Sequence, residues 1–109
     1  MEAGGLQLVI PALVVAEATY FIGRRLGPEA EARFLAGLGE LDVEAPSPAD
    51  WRRISELVRD YAGFPLCGTD ASVVALAERL GARVLVTLDR RHFGAVRPRH
   101  AEAFELLPR

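Results

Sequence analysis

A chain of 109 residues, half of them hydrophobic and 26% charged, has the size and composition of one globular domain and excludes a disordered protein. Its formal net charge of −2 leaves no overall basic field to draw it to nucleic acid, although all 13 of its Lys/Arg positions are Arg. The single Cys67 excludes an internal disulfide and a multi-Cys zinc site and fits a reducing cytoplasm.

The apolar run Leu6 to Ala16 has no positive segment before it, follows the acidic Glu2 and is too short to span a bilayer. It reads as a short buried strand, Leu8 to Ile10, running into a helix, and no membrane association is expected. Pro11 suits the first turn of that helix, which should run to Leu26 and end at Gly27. Leu13, Val14 and Phe21 make its stripe and place Glu17 on the apolar face. A carboxylate there costs free energy unless it is paired or metal-bound, and Arg24 is the candidate for an ion pair.

Gly27-Pro28 opens a second helix, with Phe34, Leu35 and Leu38 on its apolar side and Gly39 as its stop. "ELDVEAP" (Glu40 to Pro46) alternates like a half-exposed edge strand. "SPAD" (Ser47 to Asp50) supplies an N-cap, a proline at the first helical position and an acid two residues on. Trp51, Ile54, Leu57, Val58 and Tyr61 then form an amphipathic stripe. "GFPLCG" is a turn. Thr69 or Asp70 caps a nearly all-apolar helix ending at Leu80-Gly81, and Val84 to Leu88 reads as a central parallel strand. "DRRHFGAVRPRH" is a basic loop with room for one helical turn, and "AFELLP" a last strand.

This alternation predicts an α/β fold in which helices flank a mostly parallel sheet, a three-layer sandwich formed by one domain over residues 1–109. Ligands of such sheets bind beyond the carboxyl ends of the strands. Asp89 stands at such an end, and Asp70 begins the helix that leads into its strand. The chain goes out along the helix and back along the strand, so both acids reach the same sheet edge. Taken alone, Asp70 reads as a cap favoured by the helix dipole and Asp89 as a turn residue. Together with Glu17 they make a hard-cation site, for Mg²⁺ or Mn²⁺ rather than zinc. Thr87 points to the same side of its strand as Asp89, where it either supports the carboxylate or packs as a β-branched residue. His92 reads as a surface residue. Arg90, Arg91, Arg97 and Arg99 read as a solvated face or, beside a metal, as phosphate contacts.

"GTDASVVALAERLGARVLVTLDRRHF" resembles the C-terminal half of a PIN domain, in particular that of a VapC-type toxin from a toxin–antitoxin pair. "VIPALVVAEATYFI" resembles that family's second strand and the helix carrying its catalytic Glu. The resemblance implies a metal-dependent ribonuclease with four clustered acids, of which Glu17 matches the second, Asp70 the third and Asp89 the fourth. The family's first acid ends an initial strand that, with its helix, should precede Leu8. Here Glu2 is the only acid before Glu17, and no apolar strand leads into it. The expectation is therefore a domain incomplete at its N-terminus, through a start assigned too late or a genuine truncation. A chain truly this short would show poor stability or pair with another chain, with weak or absent nuclease activity.

The resemblance also implies Mg²⁺ or Mn²⁺ as cofactor and single-stranded or looped RNA as substrate, with Arg90 and Arg91 on its phosphates. It implies a small VapB-like antitoxin as partner and a homodimer through the helices from about Pro11 to Leu38. The rival expectation is a noncatalytic PIN-like protein-interaction module whose acids only cap helices or form salt bridges.

Overall fold

The computed structural model describes residues 8–64, 66–87 and 90–108, with the side chain of Arg90 outside that description. Two compact units follow one another, Met1–Ala45 and Pro46–Arg109. Helices dominate both, and the strands pair in parallel, as the α/β reading requires.

In the first unit, β1 (Val9–Pro11) leads into α1 (Ala12–Leu26), α2 (Pro28–Gly37), a 3-10 turn (Leu38–Glu40) and β2 (Asp42–Glu44). β1 and β2 lie parallel, with Val9 beside Asp42 and Pro11 beside Glu44. Pro11 closes the strand and opens the helix, with φ −66° already set by its ring. Gly27 turns the chain from α1 into α2 at φ 91° and ψ 175°, a conformation that side chains with a Cβ avoid. Its N–H donates to the Gly23 carbonyl at 3.1 Å, and its own carbonyl accepts from Glu31 N–H at 3.1 Å. Gly27→Ala is therefore expected to lower the stability of this unit by about 1–3 kcal/mol, read from urea unfolding. An unchanged midpoint would show that the junction tolerates a Cβ.

The first strand and the helix stripes depart from expectation in one respect. No residue of α1 or α2 is buried, and Leu8, Tyr20 and Leu26 are 62%, 60% and 71% exposed. Two three-residue strands and two helices enclose too little volume to cover both sides of either helix.

In the second unit, α3 (Pro48–Asp60) begins as "SPAD" predicts. Ser47 Oγ accepts from Asp50 N–H at 3.1 Å, and the Asp50 carboxylate accepts from Ser47 N–H at 2.9 Å. The buried face is turned by one residue from the predicted stripe. Asp50, Ile54 and Leu57 are inside, while Trp51 and Val58 are exposed. The cause is packing on α4 (Gly68–Leu80), whose Arg79 donates to the Asp50 carboxylate at 2.8 Å. An acid that caps its own helix also receives an arginine, so the polar position lies on the contact face.

α4 is walled in along most of its length. Ala71, Val74, Ala75 and Ala77 are buried, and Gly81 ends the helix in the left-handed conformation at φ 69°. β3 (Val84–Val86), α5 (Arg90–Ala95) and β4 (Glu105–Leu107) complete the unit. β3 and β4 run parallel, and Leu85 lies beside Leu106 with both side chains in the core. The ladder continues as Thr87 N–H donates to the Leu107 carbonyl at 2.8 Å. The expected fully buried strand is instead half exposed, because Leu85 points inward and Val86 outward at 68% exposure. Phe93 of α5 is buried, so the expected basic loop is a short helix anchored in the core. Leu57, Val74 and Val96 are the largest side chains excluded from solvent, each contributing roughly 1.5–3 kcal/mol of burial.

Among the described residues, no helix is long and apolar enough to cross a membrane.

Candidate functional site

The first turn of α4 places Asp70. The helix starts earlier than Thr69 or Asp70, the two predicted caps: Cys67 is the N-cap, and it makes no side-chain capping bond. A thiol is a weak acceptor, so the helix start relies on its backbone here. Ser72 Oγ donates to the Thr69 carbonyl at 2.6 Å and adds a local brace. Asp70 is thus the third helical residue, and its charge is favoured by the helix dipole without serving as a cap.

That position separates Asp70 from the other acid beginning a helix. The Asp50 carboxylate is claimed twice, by the Ser47 N–H and by Arg79. Burial pushes its pKa up, but those two hydrogen bonds and the Arg79 charge outweigh it and hold the group below its ordinary value. Asp70, with its side chain 21% exposed, has one polar partner among the described residues: His92 Nδ1, 4.0 Å from Oδ2. Among the described residues its oxygens are taken by neither a backbone amide nor an arginine, and carboxylate oxygen is the donor type that Mg²⁺ and Mn²⁺ prefer. On that chemistry the residue fits a hard divalent cation.

His92 corrects the surface reading. Its side chain is 27% exposed, and its ring meets Phe64 edge-on, with centroids 5.3 Å apart at 66°. α5 carries it there, since the burial of Phe93 fixes the neighbouring position against the core. The signal in the sequence was the pair Phe93 and Val96, three residues apart, which marks an anchored helical turn rather than a free loop.

Glu17 lies on α1, in the first unit, and is exposed. The suggested pairing with Arg24 is not made. The Arg24 guanidinium stands over the Tyr20 ring at 6.0 Å, and Arg25 stands over Phe21 at 5.5 Å. Among the described residues Glu17 has no ion pair. Asp89 lies outside the described residues. Thr87 sits just beyond β3, partly buried and bound through its backbone to β4. Arg91 is exposed on α5. Of the other arginines in that cluster, Arg99 donates to Glu56 at 2.8 Å and Arg97 N–H donates to the Tyr61 hydroxyl at 3.0 Å. Arg99 keeps its solvated place, with its side chain 63% exposed, while pairing with Glu56 on the surface. Among the described residues, no three His, Cys, Asp or Glu side chains stand together as a metal cluster.

An ionic network that pattern reading missed lies between α3 and α4. Arg53 meets Glu78 through two hydrogen bonds, Nε to Oε1 at 2.7 Å and Nη2 to Oε2 at 2.9 Å. Arg53 also reaches Glu56 at 3.3 Å, and Arg99 N–H donates to Glu78 at 2.9 Å. The network ties the segment before β4 to both helices.

The PIN domain family model matches residues 2–97. The chain is 36% identical over 104 residues to ribonuclease VapC26 of Mycobacterium tuberculosis, an alignment covering 93% of this chain and 76% of that protein. Both matches run across the segments holding Glu17, Asp70 and Asp89. The chain belongs to the PIN-domain family, as a VapC-type member.

Proposed function

We propose that the protein is a divalent-metal-dependent endoribonuclease, the toxin of a toxin–antitoxin pair, and that residues 1–109 act as one PIN-like domain. Family membership supports the reading, as does the name ribonuclease carried by the M. tuberculosis relative. The observation that carries it is the Asp70 carboxylate, partly exposed in the first turn of α4 and claimed by no cap or arginine among the described residues.

In this reading Asp70, Asp89 and Glu17 hold Mg²⁺ or Mn²⁺. When bound, the ion activates water for attack on phosphorus and offsets the charge that builds on the phosphate. The carboxylates orient that centre through their oxygens. Arg91, exposed on the helix after Asp89, and its neighbour Arg90 bind flanking phosphate oxygens, for which a guanidinium has matching geometry. Thr87, just beyond β3, supports the site by hydrogen-bonding the carboxylate of Asp89 or a bound water. The antitoxin is a small VapB-like protein that quenches the acids with an arginine. The exposed apolar residues of α1 and α2, among them Tyr20, Phe21, Leu26 and Leu35, support a homodimer through those helices. The place of action is the cytoplasm.

The test is cleavage of an RNA pool by purified protein with Mg²⁺, with Mn²⁺ and with chelator. Metal-dependent cleavage that chelator stops and added Mn²⁺ restores is the expected result. Cleavage indifferent to chelator would exclude the metal mechanism. Absence of cleavage with every metal would leave the interaction-module reading in its place.

A further inference from the structure

His92 is brought beside Asp70 by two independent features of the second unit. Its ring is braced edge-on against Phe64, in the turn after α3, and α5 is pinned by the buried Phe93 next to it. Phe64 is itself held, since its N–H donates to the Tyr61 carbonyl at 2.9 Å. The imidazole therefore stands at a set place on the approach to α4, with Nδ1 rather than Nε2 facing the carboxylate at 4.0 Å. That gap exceeds a direct hydrogen bond, but contacts around a site commonly lengthen when the ligand is absent and tighten when it binds.

We propose that His92 is a positioning residue for Asp70. Its Nδ1–H holds the Oδ2 side of the carboxylate and so sets the orientation in which the remaining lone pairs meet a divalent cation. A carboxylate with no capping bond and no arginine among the described residues is otherwise loosely held about its last bond, and a ligand that must first be ordered binds its ion more weakly. Phe64 serves as the wall that keeps the ring in place. The inference rests on the metal-site reading of Asp70.

The experiment measures Mn²⁺ binding to the full chain by calorimetry, without RNA, in wild type and in Asp70→Asn, His92→Ala, His92→Asn and His92→Gln. Thermal unfolding of each variant gives its folded fraction. His92→Ala is expected to weaken Mn²⁺ binding about tenfold or more. His92→Asn places an amide N–H near the position of Nδ1 and should recover most of the loss. His92→Gln, which reaches the position of Nε2, should recover less. Wild-type affinity in His92→Ala alongside lost binding in Asp70→Asn would overturn the role of His92 and leave the metal site standing. A loss in His92→Ala that vanishes once corrected for its folded fraction would reduce His92 to a packing residue, and also overturns the proposal. Failure of the wild-type chain to bind Mn²⁺ would overturn both the proposal and the reading beneath it.

Discussion

Asp70→Asn is expected to reduce metal-dependent RNA cleavage by about a hundredfold or more while the protein stays folded. The side chain keeps its size and loses its charge, so a cation loses an anionic oxygen donor. Stability should change little because, among the described residues, Asp70 caps nothing and pairs with no arginine. What is lost is its interaction with the helix dipole, roughly 0.3–1 kcal/mol. Asp50→Asn is the control with the opposite signature. That carboxylate closes a capping box and receives Arg79, so its replacement should lower the unfolding midpoint without acting on any cation site. Cleavage rates and thermal midpoints measured on both variants decide the matter. An Asp70→Asn protein that cleaves at the wild-type rate, or that loses activity only as it unfolds, would return the residue to a structural role.

Glu78→Ala is expected to cost about 3 kcal/mol, the largest single loss of stability in the second unit outside its apolar core. The Glu78 side chain is 9% exposed and that of Arg53 15%, so removing the acid leaves a guanidinium largely buried with only Glu56 beside it. It also strips Arg99 N–H of its acceptor. Replacing both partners with apolar residues, as in Glu78→Leu with Arg53→Met, should recover much of the loss, since no buried charge then remains. Equal stability of Glu78→Ala and wild type in urea would refute the role assigned to the network.

The same network predicts how stability depends on pH. Burial works to raise the pKa of Glu78, but the Arg53 hydrogen bonds, the Arg99 N–H and both arginine charges prevail and hold it below the ordinary 4.5. Asp50 is likewise held below its ordinary 3.8. A carboxyl whose folded pKa is depressed binds its proton more readily in the unfolded chain. Its contribution is complete above the ordinary value and is lost as pH falls through the lowered one. The thermal midpoint should therefore fall as pH drops below about 4, and Glu78→Gln should fall less steeply because one of the two titrating groups is gone. Parallel acid profiles for the variant and wild type would speak against Glu78.

Local chemistry made much of this protein legible in one dimension. Pro11, Gly27-Pro28, Ser47-Pro48 and Gly81 act within a turn of where they stand, so helix ends follow from the residues themselves. The run from Gly68 to Leu80 could hardly be other than a walled-in helix, and the apolar run after it holds a strand. Membership of the PIN-domain family was legible for the same reason: its pattern consists of residue types at set places along successive elements. Asp70 itself was legible as an acid at a helix start. Whether it caps that helix was not, because a cap depends on which residue leaves helical geometry, and Cys67 does so first.

Only the tertiary structure decided which polar groups are spent on holding the fold. Asp50 and Asp70 each stand near the start of a helix in a sequence rich in arginine; the Ser47 capping box marks Asp50 locally, but nothing local says which acid receives an arginine. Arg79, one helix away, takes the first. Arg99, in a stretch that reads as a basic surface loop, reaches back to Glu56 and Glu78 across most of the unit. His92 reads as exposed until the burial of Phe93 turns α5 toward the core and sets the ring between Phe64 and Asp70. The physical reason is common to all three. Capping, turns and periodicity are energies of neighbours in the chain, whereas ion pairs and ring contacts are energies of neighbours in space, which exist only once α3, α4 and α5 have packed around a shared core.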